Sequence, residues 1–231
     1  MLIIRRADER GTADFGWLHS RHSFSFGSYY DEAHMGHSVL RVINDDAVSP
    51  GAGFATHGHR DMEIISYVLE GAMEHKDSMG NVQYLPEGEF QLMSAGKGIT
   101  HSEYNASKTA GLKFLQIWIV PEEQGGIPVY QQKRFTSEQG LTAIITPTGK
   151  DGTLKVKQQA SMSQLILAPA TEQLVDLRST PKAYIQQISG QLEVNGQLIG
   201  PGDGVKLAEL DQIVLRNNAT TEAKALVFEL P

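Results

Sequence analysis

Short runs dense in Val, Ile, Leu and aromatic residues recur along the chain. VLRVI, MEIISYVLEG, EFQLMSAG and LKFLQIWIV lie in the first half; SQLILA, AYIQQIS, QLEVNG, DQIVLR and AKALVFEL lie in the second. Most are short, and many alternate apolar with polar positions, the period of a strand with one covered face. Gly, Pro, Asn and Asp punctuate them, and Asn195-Gly196 between LEV and QLI is a two-residue hairpin signal. No stretch keeps a 3.6-residue period for three turns. The pattern predicts an all-β protein of the sandwich or barrel kind.

The runs also repeat weakly. YVLEG (67–71) is followed by SMGN, LPEGEF and a strand; IQQISG (185–190) is followed by EVNG, IGPGDG and a strand. Each half reads as strand, Gly, hairpin, Gly-acidic turn, strand. Two similar barrels in tandem are expected, with the boundary between 125 and 145. We divide them as residues 1–135 and 136–231.

Composition narrows the chemistry. The 231 residues are 40% hydrophobic and 20% charged, with a formal net charge of −7 and no long basic run. Direct nucleic-acid or membrane-surface binding therefore has no electrostatic support. With no cysteine, disulfides, thiolate catalysis and Cys-based metal sites are excluded. The opening MLIIRRADERG meets charge too early for a signal peptide, and no apolar run reaches membrane-spanning length. A cytoplasmic protein is expected.

All eight histidines stand at or before residue 101. In FATHGHRDME, His57 and His59 are two apart, and in GKGITHSEYN so are His101 and Glu103. Residues two apart on a strand share a face. Two such pairs on neighbouring strands would offer three imidazoles and a carboxylate, a set suited to Fe(II), Zn, Cu(II), Ni, Mn or Co. Glu63 has the same parity and is the rival carboxylate. Its plainer reading is a partner that orients an imidazole or pairs with Arg60. Asp176 and Arg178 fall where the repeat would place His57 and His59, which predicts an ion pair there instead of a metal site.

Other candidates have plainer readings. His75 could face the pocket, but holding the SMGN turn through Asp77 is the expected role. His19 and His22 belong to an N-terminal arm packed over a barrel, and His34 and His37 are expected to face solvent. Phe24, Phe26, Phe54 and Tyr67 could form an aromatic wall, with core packing as the default. Arg41 is expected to pair with an acid.

GAGFATHGHRDME resembles the first cupin motif and GKGITHSEYN the second, with two departures: Gly96 stands in place of the usual Pro, and Gly71 comes one place late. The resemblance is closer to the pirin family. It runs through DFGWLHSRHSFSFGSYYDEAHMG, LRVINDD, HGHRDMEIISYVLEG, MEHKDSMGN, FQLMSAGKGITHSEYN, QIWIVP and LVFELP. It is strongest over residues 1–121. That resemblance implies two tandem cupin (jelly-roll) barrels, with metal in the first alone. It implies His57, His59, His101 and Glu103 as ligands, and so Glu103 over Glu63. Glu63, His75 and Phe54 remain as candidates around the ligands or the pocket.

Bacterial pirin-like proteins imply a quercetin 2,3-dioxygenase, which cleaves a flavonol with O2 and releases CO and a depside. Glu103 would be its base and Fe(II) its expected metal, with Cu, Ni, Mn, Co and Zn compatible. Eukaryotic pirins imply the alternative, an iron-binding, redox-sensitive regulator acting through a protein partner. A monomer is expected.

Overall fold

The computed structural model describes residues 1–231. Its first twelve strands are β1 (Leu2–Arg5), β2 (Gly11–Asp14), β3 (Leu18–His22), β4 (Leu40–Val48), β5 (Gly53–His59), β6 (Glu63–Glu70), β7 (Ala72–Asp77), β8 (Val82–Pro86), β9 (Glu89–Ser94), β10 (Ile99–Asn105), β11 (Leu112–Ile119) and β12 (Val129–Arg134). They continue as β13 (Gly140–Thr146), β14 (Leu154–Lys155), β15 (Ser161–Leu167), β16 (Thr171–Asp176), β17 (Lys182–Ser189), β18 (Leu192–Val194), β19 (Gln197–Ile199), β20 (Gly204–Ala208), β21 (Gln212–Asn217) and β22 (Ala223–Leu230). The remaining regular structure is three 3₁₀ turns. No helix is long and apolar enough to cross a membrane.

The strands form two like pairs of sheets. The first half has a seven-stranded sheet, β12-β9-β6-β11-β4-β3-β2, over a four-stranded one, β5-β10-β7-β8. The second half repeats both orders, as β1-β20-β17-β22-β15-β13-β14 over β16-β21-β18-β19, except at the outer edge, where β14 pairs parallel with β13 while β2 pairs antiparallel with β3. The repeat read from the sequence is thus a repeat of topology. Asn195 and Gly196 both take positive φ (49° and 80°) and turn β18 into β19, with Val194 opposite Gln197. That is the geometry for which an Asn-Gly turn is selected.

The unbroken apolar runs have a structural cause. EIISYV in β6 is buried at every position, because the large sheet meets its own barrel on one face and the other barrel on the opposite face. A single cluster joins Ile43, Ile65, Leu92, Leu115 and Ile117 of the first half to Ile144, Met162, Tyr184, Leu226 and Phe228 of the second. Each such side chain, fully buried, contributes about 1.5–3 kcal/mol, so the interface between barrels is itself a core. Strands covered on both faces lose the alternation of a half-exposed strand.

Sheet membership changes between Arg134 and Gly140, where β12 ends and β13 begins. One strand crosses the other way: β1 pairs antiparallel with β20, Ile3 opposite Lys206. β12 leads into the second half yet pairs with β9 of the first. The strand that crosses between halves is therefore β1, which completes the large sheet of the second half. Asp203 anchors the crossing, accepting from Arg6 Nη1 and Ala7 N at 2.8 Å each.

Three sequence expectations are corrected. His37 is buried, with Nε2 donating to Leu207 O at 3.1 Å, because the N-terminal arm lies against the second half. Arg41 donates from Nη1 to Ser25 O at 2.7 Å and makes no ion pair. Asp176 and Arg178 do pair, at 2.5 Å, but on the exposed side of the strand. Their neighbours Val175 and Leu177 turn inward, so the predicted correspondence is off by one residue, which on a strand reverses the face.

Candidate metal centre

β5 and β10 lie side by side in the small sheet, with His57 opposite His101. The backbone sets one tautomer: His57 Nδ1 donates to Ala55 O at 2.8 Å, which leaves its Nε2 as a lone-pair donor. His57 Nε2 lies 3.0 Å from His101 Nε2, and His59 Nε2 lies 2.9 Å from the same atom. Two nitrogens each about 2.1 Å from one ion, at right angles across it, would be about 3.0 Å apart. The spacing therefore fits three imidazoles facing one divalent ion. Burial, reinforced by the neighbouring imidazoles, pushes His59 and His101 down to about 3. Both are neutral near pH 7, the state a metal requires.

Glu103 follows a shift in the β5–β10 register between His101 and Glu103. Its carboxylate is buried, accepting from Ser66 Oγ at 3.1 Å and Gln116 Nε2 at 2.9 Å. Burial raises its pKa, against the opposing pull of His75, His57 and these two donors. A carboxylate oxygen of Glu103 and one ring nitrogen each of His75 and His101 gather within 4.8 Å, as do the ring nitrogens of His57, His59 and His101. His101 is common to both groups, and the second is completed by His75, which was not among the expected ligands. Glu103, His57 and His59 also line one cavity.

His75 does reach Asp77, Nε2 to Oδ2 at 3.2 Å, and Asp77 holds the turn by accepting from Met79 N and Asn81 N. Its Nδ1 is buried without a partner. Glu63 is the correction among the candidates. It accepts from Ser94 Oγ at 2.8 Å and Lys157 N at 3.1 Å, so it ties the two halves together and takes no part in the cavity wall. Parity placed it correctly, but β6 runs in the large sheet, away from β5 and β10.

The cavity holds about 300 Å³, the lower end of the range of about 300–1,000 Å³ for small-molecule sites. Its walls are aromatic. Trp118 meets His59 edge-on at 5.0 Å, Phe26 meets Trp118 edge-on at 5.4 Å, and Trp17 braces Phe54 at 5.1 Å. Phe26 and Phe54 line the cavity, while Phe24 and Tyr67 are core. The N-terminal arm, expected only to pack, supplies Phe15, Ser20, His22 and Phe26 to the wall. Sequence reasoning also missed Asp46, Gln116 and Trp118, which reach the cavity from β4 and β11. Period-two spacing within β4 and β11 puts Asn44 with Asp46 and Gln116 with Trp118, but nothing local says which face meets the histidines.

Comparison with known proteins bears on both halves. The pirin family profile matches residues 4–119, and that of the quercetinase C-terminal cupin domain matches residues 143–230. The chain is 46% identical over its full length to a quercetin 2,3-dioxygenase of Escherichia coli K12, covering 99% of that protein. It is 42% identical to a putative quercetin 2,3-dioxygenase of Pasteurella multocida, with both chains fully covered. The solved structure of the bacterial pirin YhhW from Escherichia coli in complex with nickel(II) superposes with a TM-score of 0.96 at 45% identity. It covers 100% of this chain and 99% of that one.

Proposed function

The chain belongs to the pirin family, and from that premise we propose that it is a metal-dependent dioxygenase of the quercetinase type. Its substrates would be O2 and a flavonol such as quercetin, and its products carbon monoxide and a depside. The observation that carries this reading is the convergence of three imidazole Nε2 atoms within 3.0 Å contacts beside a cavity that Glu103 also lines. Residues 1–135 would carry the chemistry and residues 136–231 would brace them. We take Fe(II) as the native ion, a monomer as the working unit and the cytoplasm as its place.

His57, His59, His101 and Glu103 would hold the ion, which when bound supplies Lewis-acid polarisation and a site for O2. The remaining work falls to the protein. Trp118, Phe26 and Phe54 form an apolar slot that orients a flat ring system and keeps water out. Burial favours the protonated form of Glu103, so its carboxylate is disposed to take a proton from the substrate's 3-hydroxyl. Ser66 and Gln116 hold its oxygens while it does so.

The test is reconstitution with Fe(II), Ni(II), Mn(II), Co(II) or Cu(II), following quercetin loss, oxygen uptake and CO. Turnover should appear with at least one ion. No turnover with any ion at full occupancy would overturn the enzyme reading and favour the protein-binding regulator. Glu103→Gln should lower turnover at least about a hundredfold with folding intact by circular dichroism.

A further inference from the structure

Asp46 is a buried acid that the proposed chemistry does not use. It lies on β4 between Ser20 of β3 and Phe114 of β11, is 3% exposed, and lines the cavity with His57, His59 and Glu103. Its Oδ1 has no hydrogen-bond partner. Apart from the Ser20 hydroxyl, which lies near the Asp46 carboxyl, the neighbouring polar groups are engaged with one another: His22 Nδ1 meets Asn44 Oδ1 at 2.8 Å, and Gln116 meets Ser66 and Glu103. The other unpartnered buried polar atom on this wall is Trp118 Nε1, which only donates. A buried acceptor left unpaired is costly. A carboxyl group offers an acceptor oxygen in either protonation state.

We propose that Asp46 is a substrate-binding residue, whose Oδ1 accepts a hydrogen bond from a ring hydroxyl of the bound aromatic, so that the cavity selects hydroxylated over bare ring systems. The inference rests on the flavonol reading for the choice of ligand. A wall that must hydrogen-bond a hydroxyl discriminates strongly against the analogue lacking it.

The test is calorimetric titration of the Ni(II)-loaded full chain without oxygen, with quercetin and with 3-hydroxyflavone, which keeps only the 3-hydroxyl. Wild-type protein should bind quercetin at least about tenfold more tightly. Asp46→Leu should bring that ratio near one, and Asp46→Asn, which keeps an acceptor oxygen, should retain part of it. Under turnover, the Asp46→Leu loss should fall on KM more than on kcat. A wild-type ratio near one overturns the inference even if Asp46→Leu fails to fold, as does a folded Asp46→Leu variant with an unchanged ratio. A ratio that depends on Asp46 in a protein without turnover supports this inference and sinks the dioxygenase reading alone. Turnover with a ratio indifferent to Asp46 does the reverse.

Discussion

The two barrels have the same strand order and opposite interiors. In the second, Val175, Leu177, Ile213 and Leu215 belong to a packed cluster of sixteen buried apolar side chains. In the first, the matching pair of strands, β5 and β10, turns His57, His59 and Glu103 into the wall of a cavity, with His101 buried beside them. The buried surroundings there are polar too, with Asp46, Ser66, His75 and Gln116. One topology therefore supports either a filled core or a reactive hollow, and the inward residues of one strand pair decide which. The filled barrel stabilises through apolar burial, while the hollow one keeps desolvated ionisable groups that oppose folding.

Substitutions on the two sides should therefore fail differently. His101→Ala removes the imidazole shared by both candidate ligand groups. It should lower metal affinity and oxygen uptake by more than about a hundredfold, measured by metal analysis and an oxygen electrode. Should metal content stay full, the first barrel's interior is not the metal centre. Leu215→Ala in the second barrel should instead cost about 2–5 kcal/mol of stability, read by denaturant melting, with turnover per folded molecule unchanged.

A gentler contrast is pH dependence. Burial, the largest cause, raises Asp46 from 3.8 to about 7, against the Ser20 hydroxyl and with help from Glu103 and Asp45. The native state then binds more protons than the unfolded chain between those two values, so Asp46 makes stability fall as pH rises through that window. Asp46→Asn should flatten this slope in melting temperatures taken from pH 4 to 8, and no second-barrel core substitution should do so. The smallest effect belongs to Asp176→Ala. Its partner Arg178 is exposed with it, and a solvated ion pair contributes little. Melting temperature and turnover should both stay put, whereas a large loss would restore Asp176 to an interior role.

The site was legible where chemistry follows a strand's period. His57 with His59 and His101 with Glu103 share faces because side chains alternate. The same rule misled at Asp176 and Arg178, where a one-residue offset in the assumed repeat swapped inside for outside. It was silent about His37, whose burial comes from a chain crossing to the second half. Glu63 shows the limit most clearly: it has the right type and parity, yet the chain carries it into a different sheet, where it binds Lys157 N.

By itself the sequence determined the β architecture, its repeat, the confinement of imidazoles to one half and the two short motifs, all properties of neighbours along the chain. The tertiary structure decided which strands became neighbours. It placed β1 in the large sheet of the second barrel, brought three Nε2 atoms within hydrogen-bonding distance across residues 57 to 101, and aimed Phe26, Asp46 and Trp118 at the same cavity. Those contacts arise from sheet pairing and from the apolar face the two barrels bury against each other, interactions between segments far apart in sequence that no local period records.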